Sequence, residues 1–166
     1  MAQSQHSFSL LDTHLLENLD LAKVAIVHTE WNDKIVRELI NGFEGIFHRF
    51  KGDIVQKVAV PGCFELPFAC RQLWNKYENM SGKLEAIVAF GAVIRGGTPH
   101  FDYVCRAVTD GILQLNLTLP IPVIFGVLTL DNEAQAWERL GGPLGHKGEE
   151  AAITALKMIR NGRSAI

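Results

Sequence analysis

Apolar residues follow two rhythms along this chain. Four short runs, AKVAIVH from Ala22 to His28, IVQKVAV over 54–60, AIVAFGAVI from Ala86 to Ile94 and PVIFGVLTL from Pro122 to Leu130, have the length and β-branched content of strands. Between them apolar residues recur at helical spacing. Ile35, Leu39, Phe43 and Ile46 mark one face, Leu73, Trp74 and Tyr77 a second, and Val104, Val108, Ile112 and Leu115 a third. A fourth helix is expected to carry Ala134, Trp137 and Leu140, and a last amphipathic one to run from Lys147 to Ile159. Strand and helix therefore alternate four times with short connections. The economical architecture is an α/β, three-layer α/β/α sandwich: a four-stranded parallel sheet with right-handed crossovers and helices on both faces.

The punctuation agrees with this division. Asn32-Asp33 reads as a helix start, Pro67 suits the first positions of the next helix, and Asp131 is a plausible N-cap for the fourth. Gly141-Gly142-Pro143 is expected to stop that helix. Residues 1–20 are polar and mixed without strong periodicity, and are expected to form an N-terminal arm that orders only against something else. Residues 21–166 then make a single domain. Four strands leave both sheet edges to be covered, so subunit contacts are expected to supply part of that cover.

Bulk properties narrow the class without naming a function. The chain has 166 residues, 48% of them hydrophobic, and a formal charge of −2 from 16 basic and 18 acidic side chains. No long run of either sign offers a footprint for nucleic acid or an anionic membrane, so any bound phosphate has to be met by a local pocket. Three cysteines without a CxxC and six histidines without HxxxH spacing argue against a zinc site or a disulfide framework, and fit a reducing compartment. No apolar run reaches the roughly 18 residues of a membrane span, and the first twenty residues lack the layout of a secretory signal. A cytoplasmic protein is expected.

The chemistry-bearing residues gather where the strands end. In open α/β sheets ligands bind just beyond the carboxyl ends of the strands. There, Arg95-Gly96-Gly97-Thr98-Pro99-His100 turns from the third strand into a helix, offering backbone amides and a hydroxyl to an anion beside a histidine able to carry protons near neutral pH. Such glycines also serve merely to turn the chain. Trp31 could stack on a flat heterocycle or close the core, and Glu65 could bind ligand hydroxyls or complement a helix dipole. His100 could shuttle protons or remain a solvated capping residue. Arg139 could clamp a phosphate or only favour a helix end, and Cys63 could act as a nucleophile or as a small buried residue.

Taken together and in order, VPGCFELP, GAVIRGGTPHFDYV, PVIFGVLT and DNEAQAWERLGGPLGHKGEEAA resemble the 6,7-dimethyl-8-ribityllumazine synthase family from about Leu21 to Ile159. The resemblance implies a flavodoxin-like fold and the penultimate step of riboflavin biosynthesis. In that step 5-amino-6-(D-ribitylamino)uracil joins 3,4-dihydroxy-2-butanone 4-phosphate, losing phosphate and two waters, without metal or organic cofactor. By motif, Trp31 corresponds to the aromatic that stacks on the pyrimidine, where phenylalanine is common. Cys63, Phe64 and Glu65 match the segment holding the ribityl chain and uracil, with cysteine where alanine is usual. Ala92, Val93 and Ile94 match the strand end whose backbone reads the uracil edge, and Phe125 a residue that lines the pocket from the neighbouring subunit. Gly97 and Thr98 match the phosphate loop, His100 the proton donor, and Arg139 the phosphate-binding arginine, with Lys147 and Glu150 as polar groups nearby.

The resemblance also implies a pentamer. The short turn Leu140 to Gly148 is the form expected in members that close further into an icosahedral 60-mer, although His146 stands where asparagine is more usual; a pentamer or decamer is the alternative. Riboflavin synthase is a further partner that the resemblance suggests. Two other functions compete: a flavin- or lumazine-binding or shell protein without turnover, which retention of His100 and Arg139 disfavours, and a flavodoxin-like electron carrier. The latter requires a phosphate-binding Ser/Thr run after the first strand, and TEWND does not supply one.

Overall fold

The computed structural model describes residues 16, 19, 21–80 and 83–164. Four strands, β1 (Lys23–Thr29), β2 (Asp53–Val60), β3 (Ala86–Ile94) and β4 (Val123–Leu130), form one parallel sheet in the order β2-β1-β3-β4. The crossovers are α1 (Asp33–Arg49), α2 (Leu66–Tyr77, entered through a 3₁₀ turn at Cys63–Glu65) and α3 (His100–Thr118). After β4 come a single-turn α4 (Ala134–Trp137), a small antiparallel hairpin of β5 (Leu140–Gly142) and β6 (Gly145–His146), and the terminal α5 (Lys147–Arg163).

Alternation within the strands divides the core. Val24, Ile26, Val88 and Phe90 point to the layer of α1 and α5, where Leu39, Phe43, Phe47, Ala152 and Leu156 meet them. Ala25, Val27, Ile87 and Ala89 point the other way, onto Leu66, Cys70, Leu73, Val108 and Ile112 of α2 and α3. Both sets are almost wholly buried, which is why the strands read as continuous apolar runs. The expected three-layer parallel sandwich is the observed one.

Two local expectations differ from the structure. The helix expected to reach Leu140 ends at Trp137, because Gly141 takes φ 99° and Gly145 φ 79°, folding the following residues into the hairpin instead. Asp131 does not cap it: Asn132 Oδ1 accepts from Gln135 N (3.2 Å), and Asp131 turns toward Arg95. Of the proposed arm, Leu16 and Leu19 are buried against the α1 and α5 side of this chain's own core; the rest of residues 1–20 lies outside the described residues.

Candidate functional site

Parallel strands deliver all their exits to one edge of the sheet, and backbone bonds knit those exits together. Glu30 N donates to Val60 O (2.8 Å) and Trp31 N to Pro61 O (3.3 Å), so the first turn keeps pairing with the exit of β2. Arg95 N donates to Leu130 O (2.8 Å), joining the exits of β3 and β4. The central pair is joined by a side chain. Asn32 sits in the left-handed region (φ 59°), tolerable for asparagine, and its Nδ2 donates to Ala92 O at 2.8 Å, sixty residues away. The sequence presents Asn32 as a helix cap, yet its side chain makes no cap bond and serves as a cross-sheet tie.

Trp31 stands beside this tie with 74% of its surface exposed, and Thr29 Oγ1 holds its carbonyl at 3.0 Å. It does not close the core, so that alternative falls away. Phe64 is likewise exposed (63%) in the turn after β2. Glu65 Oε2 accepts from Gly62 N at 3.0 Å, so one carboxylate oxygen completes its own turn. Cys63 is buried under the rim, where a Cβ on Gly91 would meet its Sγ at 2.5 Å. Burial pushes its thiol up to about 12, with smaller contributions from Cys105 and Glu65. Burial under the rim and a thiol kept protonated both favour the small buried residue over the nucleophile.

The turn after β3 is the most open part of the rim. Gly96, Gly97, Thr98 and His100 are exposed, and a Cβ at either glycine would meet nothing within 4 Å. The turn runs straight into the first residue of α3, His100. Ala92 is buried, while Val93 and Ile94 are half-buried where β3 emerges. Arg95, to which the sequence gives no role beyond opening this turn, donates to Asp131 Oδ1 (3.0 Å), pairs with Asp102 (3.2 Å) and lies 4.1 Å from the Phe101 ring centroid. The hydrogen bonds to Asp131 and then Asp102 raise its pKa further. Its signal was inaccessible to spacing, since Asp131 is thirty-six residues away.

Two expected groups stand outside the turns that follow β1, β2 and β3. Arg139 follows α4, with Nη1 donating to Gln135 O at 3.0 Å and lying 3.6 Å from Glu138. The hairpin brings Lys147 N to Arg139 O (2.9 Å), and Lys147 Nζ pairs with Glu150 at 2.7 Å. These residues form a second polar cluster, linked to the rim through Gln135, whose Oε1 accepts from Asp131 N at 2.9 Å. Phe125 is also remote: it pairs with Ala89 in register, five residues or roughly 16 Å of strand rise before β4 ends.

A separate cavity of about 670 Å³ lies at the other end of the sheet, lined by Lys23, Trp74, Tyr77, Glu85, Pro122 and Arg163 among others. It is far from every strand exit, and the rim remains the better site on chemical grounds, because the rim holds the glycine turn, histidine and exposed aromatics together. Among the described residues no group of three or more His, Cys, Asp or Glu side chains is placed to hold a metal ion, and no helix is long and apolar enough to cross a membrane.

Comparison with known proteins agrees with this geometry. The 6,7-dimethyl-8-ribityllumazine synthase profile matches residues 21–163. A Phocaeicola vulgatus protein of that name is 43% identical over 161 residues, covering 96% of this chain and 93% of its own length. Its counterpart from Porphyromonas gingivalis is 42% identical over 95% of this chain and 96% of its own, and one from Desulfovibrio desulfuricans is 49% identical over 83% and 86%. Fold, rim and these likenesses agree: the chain belongs to the 6,7-dimethyl-8-ribityllumazine synthase family.

Proposed function

We infer that this chain condenses 5-amino-6-(D-ribitylamino)uracil with 3,4-dihydroxy-2-butanone 4-phosphate to give 6,7-dimethyl-8-ribityllumazine, phosphate and water. The carrying observation is the convergence on one rim of exposed Trp31, tied through Asn32 to the Ala92 carbonyl, with the open Gly97-Thr98 turn that delivers His100.

In this reading the pyrimidine stacks on Trp31, its ribityl chain lies along Cys63, Phe64 and Glu65, and the backbone of Ala92, Val93 and Ile94 meets its polar edge. Phosphate occupies the Gly97-Thr98 turn, where backbone amides and a hydroxyl can meet an anion and the space beside the glycines is open. The 5-amino group attacks the ketone and one water leaves to give an imine. Phosphate then departs by elimination, and the ribityl-bearing amine closes the ring with loss of the second water. Each step moves a proton at neutral pH, a task for the imidazole of His100. Much of the acceleration comes from holding an already reactive amine and ketone together.

The distance of Phe125 from the strand exits supports a site shared between subunits. A pentamer places the Phe125 of one subunit against the rim of the next, and Arg139 with Lys147 supplies positive charge to the departing phosphate. Closure into a 60-mer, association with riboflavin synthase and residence in the cytoplasm extend the same reading. Mixing the purified chain with both substrates and following the fluorescent lumazine tests the activity, and light scattering tests the assembly. Absence of product at saturating substrates overturns the enzyme; a monomer with full activity overturns the shared site.

A further inference from the structure

The 96–100 turn is anchored at both ends by one side chain. Arg95 precedes it at the exit of β3, and the guanidinium folds back over the turn's far side. Its Nε donates to Asp131 Oδ1 (3.0 Å), Nη2 lies 3.2 Å from Asp102 Oδ1, Nη1 lies 3.5 Å from Asp102 Oδ2, and Cζ stacks 4.1 Å from the centroid of Phe101. Phe101 and Asp102 are the second and third residues of α3, immediately after the turn, and Asp102 N closes it on Pro99 O at 3.0 Å. Asp131 lies on the neighbouring exit. The guanidinium thus links three segments: the end of β3, the start of α3 and the β4–α4 connection.

The turn itself offers little to hold its own shape. Its two glycines border open space, and glycine pays the largest conformational entropy on being fixed. A planar fork with several donors suits such bracing, because it engages two carboxylates and a ring face at once. The same engagement removes Arg95 as a countercharge for phosphate, since two carboxylates already neutralise it.

We propose that Arg95 is a positioning residue: it fixes the Gly96–His100 turn in the shape that receives the phosphate of the second substrate, without binding that phosphate. The inference rests on the functional reading above. It distinguishes Arg95 from Arg139, beside which the described residues place one carboxylate, Glu138 at 3.6 Å.

The test turns on the sign of one substitution. Asp131→Asn keeps volume and leaves the Arg95 charge intact but weakens the brace. KM for 3,4-dihydroxy-2-butanone 4-phosphate should rise about twofold to fivefold, as expected for partly exposed ion pairs, while the pyrimidine KM stays within error. Arg95→Ala, losing both carboxylate contacts, should raise it further, and Arg95→Lys should recover only part. Inorganic phosphate used as a competitive inhibitor should weaken in parallel. If Asp131→Asn instead tightens either phosphate species, Arg95 is a ligand released from its pair, and the proposal is wrong. Unchanged constants in all three variants also overturn it. Should Arg95→Ala not fold, the Asn and Lys variants carry the result. If the wild-type protein makes no lumazine, the functional reading fails separately, and amide hydrogen exchange over 96–100 decides the brace: faster exchange in Asp131→Asn upholds it, equal exchange removes it.

Discussion

The two ends of the sheet are built to opposite purposes. At the strand entries, charge is paired and structural: Glu85 accepts from Lys23 N (3.0 Å) and from Arg163 at 2.6 and 2.8 Å, binding the starts of β1 and β3 to the end of α5. At the exits, Trp31 and Phe64 project into solvent and Gly96 and Gly97 border open space, although backbone bonds and the Arg95–Asp131 pair cross between neighbouring turns. Exposed aromatics and fixed glycines both cost stability, so their concentration at one end marks where the fold has been spent on binding. The entry end holds a cavity of about 670 Å³ and none of this chemistry, so volume alone is a poor guide to the site.

The largest effect that would sharpen this contrast is catalytic. His100→Ala should lower turnover by about 10- to 1,000-fold with little change in pyrimidine affinity, measured by steady-state kinetics and Trp31 fluorescence. Unchanged turnover would remove His100 from the proton transfers. Next comes packing just beneath the rim. Gly91→Ala drives a methyl into Cys63 Sγ, Thr29 and Leu66, so we expect a loss of about 1–3 kcal/mol in denaturant unfolding, and Cys63→Ala in the same chain should restore much of it. A Gly91→Ala chain as stable as wild type would mean that the rim's floor yields.

Alkali should strain the same floor. Burial holds the Cys63 and Cys70 thiols near 12, above the 9.0 of a free thiol, so the unfolded chain loses these protons first. Their contribution is complete below pH 9 and fades as pH rises towards 12, by about 1.4 kcal/mol per pH unit for each fully titrating group. Comparing unfolding of wild type and Cys63→Ala across that window isolates the Cys63 share; identical slopes would refute it.

Smaller still is the tie between the central exits. Asn32→Gly keeps the left-handed backbone and removes the amide, whereas Asn32→Ala also strains φ. Pyrimidine binding should weaken about threefold to tenfold in both, in line with the loss of one hydrogen bond, and only the Ala variant should lose further stability. If Asn32→Gly binds as wild type does, the Ala92 carbonyl needs no tether. Least affected should be the entry end: Glu85→Gln should cost at most about 1 kcal/mol and leave turnover unchanged. A drop in turnover would break the division between the two ends.

The layers were legible in the sequence because burial on both faces leaves a mark at every strand position, and Val24 to Val27 or Ala86 to Phe90 show it without interruption. The rim residues were legible through motif and order. Asn32 and Arg95 were not, since each acts through a partner brought near only by the crossovers, Ala92 for one and Asp131 for the other. The hairpin was missed for a local reason: Leu140 continues the helical spacing of Ala134 and Trp137, and only the positive φ of Gly141 breaks it. Spacing cannot report which glycine uses its freedom.

That hairpin ends in a notch. A Cβ on Gly42 of α1 would overlap the His146 imidazole, and one on Gly148 would overlap Leu39 O, so α1, the hairpin and α5 interlock through the absence of two methyl groups. The imidazole also accepts from Gly148 N through Nδ1 at 3.2 Å and lies 3.5 Å from Glu38, which makes the unusual histidine a keystone of this corner. A part so seated has almost no angular play. If the chain assembles as proposed above, with pentamers that meet at this turn, the curvature of a closed shell is set by the tolerance of a joint one methyl wide, and small errors there multiply around the circumference.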